Sequence, residues 1–366
     1  MIGRYALVGT THFLCTALAL KILNFILPCS LTCYYSCAAN FVMCIIVAKL
    51  TFGFTKRKFL SDKIQPDNRA VFITGCDSGF GHALAKQLDS KGFHVFAGCL
   101  DASGSGADEL KKNCTKRLQI VPVDVTKDDS VKEAVNFVKE NMATSELWAI
   151  VNNAGIQKGF LVELSSIQDF KDTLEVNAIG PVRVTKAFLP LLRQSRGRIV
   201  NIASIAGHVE LPMCAAYTMS KFACVGFSES IRHELDVWGI RVISIEPEFF
   251  ETNMTDSGNI SRRIDESIAA VDGDVKADYG EQFIKNFKMH SNLVVSSSRI
   301  HKVLNAIELA ISLEHPDFVY RPCRNIFTRM FFKFYEISPK VLKLLIIKFL
   351  LYITNFPKPK EADNNL

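Results

Sequence analysis

The chain has 366 residues, 48% of them hydrophobic, with 43 Lys and Arg against 37 Asp and Glu for a formal net charge of +6, a length that suits one large α/β domain with added segments better than two small domains. The basic excess belongs to the ends: residues 1–69 carry eight basic and two acidic side chains and residues 324–366 carry eight and three, which leaves 27 against 32, a net −5, between them. Positive ends beside apolar sequence, with no basic stripe interleaved with aromatics in the middle, argue against nucleic acid as a partner and for a membrane surface.

Eleven cysteines are present, five of them (Cys15, Cys29, Cys33, Cys37, Cys44) in the apolar N-terminus and none in Cys-x-x-Cys spacing. They read as free thiols of a reducing compartment, so neither a metal site nor a disulfide framework is predicted.

In chain order, the first feature is an uncharged run over Tyr5–Leu20, followed by Ile22–Ala48, 27 positions without a charge. A hydrocarbon layer of ~30 Å needs about 20 such residues, so residues 1–58 are predicted to be a transmembrane anchor, either one span or a hairpin broken near Pro28. The apolar run resumes after Lys21, unlike a cleaved signal peptide, and it lacks the Arg-rich amphipathic pattern of a mitochondrial leader. Lys56-Arg57-Lys58 places the following domain on the cytosolic side of the membrane. Residues 59–68 read as a linker.

From residue 69 onward short β-rich runs alternate with helical patterns. The strands are predicted at Ala70–Thr74, His94–Ala97, Leu118–Val123, Trp148–Val151, Arg198–Ile202, Arg241–Ile245 and Phe318–Tyr320, and helices at Gly81–Ser90, Ser130–Asn141, Ile167–Arg193 and Ala215–Val237. This alternation predicts an α/β fold, a doubly wound parallel sheet with helices on both faces. The polar stretch Asn253–Ser298 is predicted to be an irregular insertion at the mouth of the cleft. Val341–Ile353, apolar but carrying Lys343 and Lys348, is too short and too charged to span. It reads as an amphipathic helix in the headgroup plane or a cover over the cleft, with an ordinary core helix as the plainer option. Pro357–Leu366 is expected to be a disordered tail.

The chemistry-bearing residues fall at strand ends and on one helix. Gly75-x-x-x-Gly79-x-Gly81 follows the first strand and opens the first helix, where a nucleotide pyrophosphate would meet N–H groups at the helix terminus. Asp124 ends the third strand and could accept from an adenine amino group or cap a helix. Asn152-Asn153-Ala154-Gly155 ends the fourth strand. Asn177 lies within a helix, where Asn is unfavourable unless its side chain or a local distortion is put to use, and it could hold a water beside Lys221. Tyr217 and Lys221, four residues apart, stack on one helix face about 6 Å apart along the axis, so that the ammonium favours the phenolate. Ser204, thirteen positions upstream of Tyr217, supplies a hydroxyl for a substrate oxygen.

Thr-Gly-x-x-x-Gly-x-Gly, Asn-Asn-Ala-Gly, the helix Asn, the Ser and Tyr-x-x-x-Lys occur in one order, and in that order residues 69–325 resemble the short-chain dehydrogenase/reductase family. Continuing the glycine turn into His82-Ala83-Leu84-Ala85-Lys86 is similar to the branch of retinol dehydrogenases, 17-beta-hydroxysteroid dehydrogenase type 2 and D-beta-hydroxybutyrate dehydrogenase. The resemblance implies a Rossmann-like fold, a nicotinamide cofactor and a plausible homodimer. It implies Tyr217 as general acid/base, Ser204 as the group orienting the substrate oxygen, Lys221 as the residue that tunes Tyr217 and binds the nicotinamide ribose, and Asn177 as a member of the proton relay. Gly75, Ser78, Gly79, Phe80 and Gly81 match the pyrophosphate turn, Asp124 the adenine contact and Asn152 a cofactor-lining position. Thr252 matches a contact to the nicotinamide amide, in a segment where Glu248 stands in place of the family's Gly.

Asp101 follows the second strand and no Lys or Arg occurs from Gly92 to Leu110, which favours NAD over NADP because an acid there repels a 2′-phosphate. The expected function is an NAD(P)-dependent oxidoreductase interconverting alcohol and carbonyl on a lipophilic substrate, a steroid or retinoid, at the endoplasmic reticulum membrane, with the mitochondrion second. The rival functions are a 3-hydroxybutyrate-type hydroxy acid dehydrogenase and a catalytically retired nucleotide-binding scaffold. Residues 326–366 are expected to form a membrane-associated helix and tail.

Overall fold

The computed structural model describes residues 10–19, 21–22, 37–291 and 296–359. The described residues fall into two compact units, one within residues 1–65 together with 312–316, the other within 66–311 and 317–366.

In the first unit residues 10–19 are helical, and helix α1 spans Cys37–Phe59. The two helices meet through the Thr16 and Thr51 hydroxyls, 2.7 Å apart, and through an edge contact between the His12 and Phe52 rings. Most of the predicted membrane run before Cys37, and the break near Pro28, lie outside the described residues. Among the described residues no helix is long and apolar enough to cross a membrane.

The second unit begins with β1 (Arg69–Thr74), α2 (Gly79–Ser90), β2 (His94–Cys99), α3 (Ser105–Asn113), β3 (Leu118–Pro122), α4 (Asp128–Asn141) and β4 (Glu146–Asn152). It continues with α5 (Ile167–Leu174), α6 (Gly180–Ser195), β5 (Arg198–Ile202), α7 (Ala215–Asp236) and β6 (Arg241–Ile245). The seven-stranded parallel sheet has the order β3-β2-β1-β4-β5-β6-β7, its last member being the short β7 (Val319–Tyr320). Central strands read as unbroken β-branched and aromatic runs because helices cover both faces. Phe72 and Phe188 stack at 4.5 Å within a core that also holds Phe96, Ile150, Ile199 and Val242. Strand order reverses between β1 and β4, and a ligand crevice forms at the carboxyl ends of strands around such a point. This is the doubly wound sheet the alternation predicts.

Two expectations need correction. The helix expected over Ile167–Arg193 is interrupted by a π-helical turn at Glu175–Ile179. Asn253–Ser298, expected to be irregular, contains α8 (Ser257–Ala269), α9 (Gly273–Tyr279) and α10 (Glu281–Ser291). Its apolar residues are few, but Ile260 and Ile264, and Phe283 and Phe287, stand four apart and pack against Phe160 and Leu164. The Asp256 side chain accepts from Asn259 N and starts α8. After α11 (His301–Ser312) and β7 come α12 (Ile326–Ile337), which the periodicity reading lacks, and α13 (Lys340–Ile353), which it places within a residue. Of the expected tail, residues 360–366 lie outside the described residues.

Candidate active site

The glycine turn begins where β1 ends. Gly75 has φ +69°, and a Cβ there would meet Ala154 Cα at 2.8 Å. At Gly81 a Cβ would lie 2.4 Å from both Asn153 Nδ2 and Gly75 O, so the first turn of α2 packs against backbone with no room for a side chain. Asn153 holds this arrangement from across the strand reversal: its Nδ2 donates to Thr74 O (2.8 Å) and Gly75 O (3.0 Å). The Thr74 hydroxyl accepts from the Asn153 and Ala154 amides, both at 3.0 Å. Among the described residues no side chain caps the N-terminus of α2 at Ser78, which leaves helix-terminal N–H groups to face an anion. Gly79 approaches Thr252, whose Cβ would lie 3.7 Å from a Cβ built on that glycine. Phe80 meets Phe250 edge-on at 6.4 Å. The turn and the segment after β6 therefore face each other.

Asp77, inside the turn, reaches the carboxyl end of β2, where its carboxylate accepts from the Leu100 amide (3.0 Å) and the Asp101 amide (2.9 Å). The Cys76 thiol beside it is pushed well above its ordinary range by burial, then by Cys99 and Asp77. It is a packing thiol and no nucleophile.

Asp124 is half-buried and its Oδ1 accepts from the Thr126 amide (3.0 Å) and hydroxyl (2.6 Å). Burial alone would raise its carboxyl, but Thr126 and Lys127 hold it below the ordinary value. The N-cap position of α4 belongs to Lys127, so Asp124 is not that helix's cap. Asn152 is 4% exposed. Its Nδ2 donates to Thr185 Oγ1 (3.2 Å) and Asn201 Oδ1 (2.8 Å), which braces β4 against β5 and α6.

Tyr217 and Lys221 share a face of α7, with Lys221 Nζ 5.6 Å from the Tyr217 ring centroid. Lys221 is buried and donates to Ile202 O at the end of β5 (2.9 Å). Ser204, two residues further on, is 7% exposed. Its Oγ accepts from the Ala206 amide (3.1 Å) and is aimed at Pro247 O, 3.4 Å away. Asn177 sits in the π-helical turn, a distortion common at functional sites. The side chain accepts from Ile156 N and donates to Ile156 O, both at 2.8 Å, and donates to Ser220 Oγ at 3.0 Å. A Cβ on Gly155 would lie 3.4 Å from Asn177 Oδ1 and 3.9 Å from Lys221 Nζ. The end of β4, the π-helical turn and α7 thus converge on one spot. Cys214, three residues before Tyr217, has its thiol raised to about 11 by burial.

Glu248, the departure from the family pattern, is buried and turned toward Arg324, accepting from its backbone N–H and, at 3.2 Å, from its Nε. A half-buried cluster, built on the buried Glu246, adjoins the segment joining Ser204 to Tyr217. Arg321 donates to Glu246 and Glu336, both at 2.6 Å, and lies 3.1 Å from His208 Nε2. His208 in turn lies 3.0 Å from Glu246 and 3.5 Å from Glu336, and Ser244 Oγ donates to Glu246 (3.0 Å). Burial alone would raise the Glu246 carboxyl, but His208 and Arg321 hold it below the ordinary value. Sequence reading quotes Thr74 and Asn153 in their motifs without the bonds that join them, and passes over Arg321, because the partners are distant in the chain. The one local signal is the second Asn of Asn-Asn-Ala-Gly.

Comparison with known proteins places the chain in a family. Residues 69–262 match the family described as short chain dehydrogenase. Estradiol 17-beta-dehydrogenase 2 of Mus musculus is 43% identical over 267 residues, 72% of this chain and 70% of that protein. Retinol dehydrogenase 16 of Rattus norvegicus is 36% identical over 314 residues, 84% of this chain and 94% of that protein. A short chain dehydrogenase from Burkholderia cenocepacia J2315, solved in complex with NADP, shares the fold at TM-score 0.58 and 21% identity, over 76% of this chain and 97% of that one. Since the family pattern covers more than half of the sequence and relatives of this identity cover most of it, the chain belongs to the short-chain dehydrogenase family, in the branch of the 17-beta-hydroxysteroid and retinol dehydrogenases.

Proposed function

We propose that this chain is a membrane-anchored, NAD-preferring dehydrogenase that interconverts an alcohol and a carbonyl on a steroid or retinoid. The observation that carries the reading is the meeting of Tyr217, Lys221, Ser204 and Asn177 at the carboxyl ends of β4 and β5, on the side of the strand reversal where the glycine turn lies. A nicotinamide dinucleotide bound along that turn would supply the hydride acceptor or donor. The residues present suit it: an uncapped helix N-terminus for the pyrophosphate at Gly75, Ser78, Gly79, Phe80 and Gly81, and a glycine at 155 that puts no side chain against Asn177 Oδ1 and Lys221 Nζ. Asp124, Asn152 and Thr252 are assigned the adenine, lining and amide positions.

Within the site Tyr217 Oη exchanges the proton of the substrate oxygen, and Ser204 Oγ orients that oxygen. The Lys221 ammonium is fixed by Ile202 O and lies 5.6 Å from the Tyr217 ring centroid. Asn177, fixed by its three hydrogen bonds, would hold a water beside Lys221 through which that proton leaves. The NAD preference rests on the carboxylates of Asp77 and Asp101 at the end of β2, where a 2′-phosphate would meet negative charge. The lipophilic substrate is proposed from the names of the relatives. The N-terminal anchor, the endoplasmic reticulum location and the division into residues 1–58, 59–68, 69–325 and 326–366 rest on the sequence pattern, and pairing into a homodimer rests on the family.

The test is Tyr217→Phe in detergent-solubilised full chain, assayed with NAD and NADP against steroids, retinol and short hydroxy acids. Removal of a general acid/base costs about 10²–10⁴ in rate, with NADH binding retained. Unchanged turnover, or activity on 3-hydroxybutyrate alone, would overturn the reading.

A further inference from the structure

The C-terminal helices are apolar on the side that packs and apolar again on the side that does not. Inward, Phe332 and Tyr335 of α12 and Ile346 and Ile347 of α13 pack against Ile205, Val209 and Leu211 of the segment joining Ser204 to Tyr217. The Tyr335 hydroxyl donates to Glu210 (3.1 Å) on that same segment. Outward, Phe327 (78% exposed), Met330, Phe334 and Ile337 (75%) follow one another at three- and four-residue steps along α12. On α13, Val341, Leu345, Phe349 and Tyr352 do the same. A helix on a water-facing surface puts polar residues on that stripe, and an apolar patch of this extent marks an interaction site.

Charge and length decide what covers it. Arg329, Lys333, Lys340 and Lys348 are exposed around the apolar stripe. The two helices contain a single acid, Glu336, and it is turned inward to Arg321 and His208. A cationic rim without acidic counterparts complements an anionic surface. At 12 and 14 residues the helices are roughly 18 and 21 Å long, short of the ~30 Å hydrocarbon layer, so they lie along a bilayer and do not cross it.

We propose that the outer face of α12 and α13 docks in the headgroup plane of an anionic lipid bilayer, its aromatic and aliphatic side chains immersed and its lysines at the phosphates. The proposal extends the membrane reading above to a second, independent contact. Because the inner face of the same helices carries the Ser204–Tyr217 segment, docking would hold that segment beside the phase in which a lipophilic alcohol dissolves.

The test uses the full chain in phosphatidylcholine vesicles with and without phosphatidylserine, with bromine-labelled acyl chains as quencher. Phe327→Trp and Phe349→Trp each add an emitter to the background of Trp148 and Trp238. Quenching of the added emission, stronger with phosphatidylserine and weakened by Lys340→Glu with Lys348→Glu, is the expected result. No quenching beyond the unsubstituted background in either vesicle overturns the proposal. Quenching indifferent to phosphatidylserine overturns its anionic component, and a dimer in detergent that Phe349→Glu dissociates gives the face to a second copy. Dehydrogenase activity of the unsubstituted chain is read in the same vesicles: quenching without any such activity sinks the catalytic reading and leaves this one standing.

Discussion

Arg321→Met tests the half-buried cluster beside the segment joining Ser204 to Tyr217. The substitution keeps most of the aliphatic stem and removes the donors to Glu246, Glu336 and His208. Glu246 is 1% exposed, so the variant strands a carboxylate that keeps only Ser244 Oγ and His208. Breaking a buried pair by removing one partner costs about 3–5 kcal/mol, which at about 2 °C per kcal/mol for a large domain corresponds to a fall in Tm of roughly 6–10 °C. The pH dependence has a definite sign. Because the folded Glu246 carboxyl lies below its ordinary value, its contribution is present above the unfolded value of about 4.3 and is lost as pH falls through the folded one. Without Arg321 the opposing effect of burial grows in weight, the folded carboxyl rises, and protonation relieves the variant. The difference in Tm between the two proteins is therefore expected to narrow from pH 7 toward pH 4, measured by thermal melting in detergent. A cost below about 1 kcal/mol, the range of an exposed pair, or a gap that does not narrow, would refute the assignment of Arg321 as the counter-charge of a buried acid.

Gly81→Ala places a Cβ 2.4 Å from Asn153 Nδ2 and Gly75 O. Overpacking of about 1–3 kcal/mol is expected to weaken dinucleotide binding by roughly 10- to 100-fold, read by fluorescence titration with NADH, and an unchanged Kd would disprove the tight turn. Glu248→Gly installs the residue the family uses. Since the carboxylate is spent on Arg324, the expected outcome is faster proteolysis between Pro322 and Ile326 with the NADH Kd unchanged, and a changed Kd with unaltered proteolysis would put Glu248 in the cofactor site after all.

The parts of this fold that are legible in the sequence are those decided within a few residues. Arg198–Ile202 and Arg241–Ile245 match the strands end to end because a β-rich run bounded by glycine and turn residues has one way to be buried on both faces. Tyr217 and Lys221 are legible because the helix period alone puts them together. The π-helical turn is different. It coincides with the pairing of Asn177 with both backbone groups of Ile156, 21 positions earlier, and a periodicity window sees only an awkward polar residue in an apolar pattern. The helices over Ser257–Ser291 are hidden for a related reason: one narrow stripe of Ile260, Ile264, Phe283 and Phe287 is enough once Phe160 and Leu164 stand opposite, yet in the sequence the polar majority dominates. Glu248 carries the argument furthest. The sequence puts an acid where the family has glycine, and only the fold shows that Arg324, 76 positions away, donates to it. Local chemistry in this chain names the candidate groups, whereas the partners that hold Asn177 and Glu248, Ile156 and Arg324, are ones that only the fold brings near.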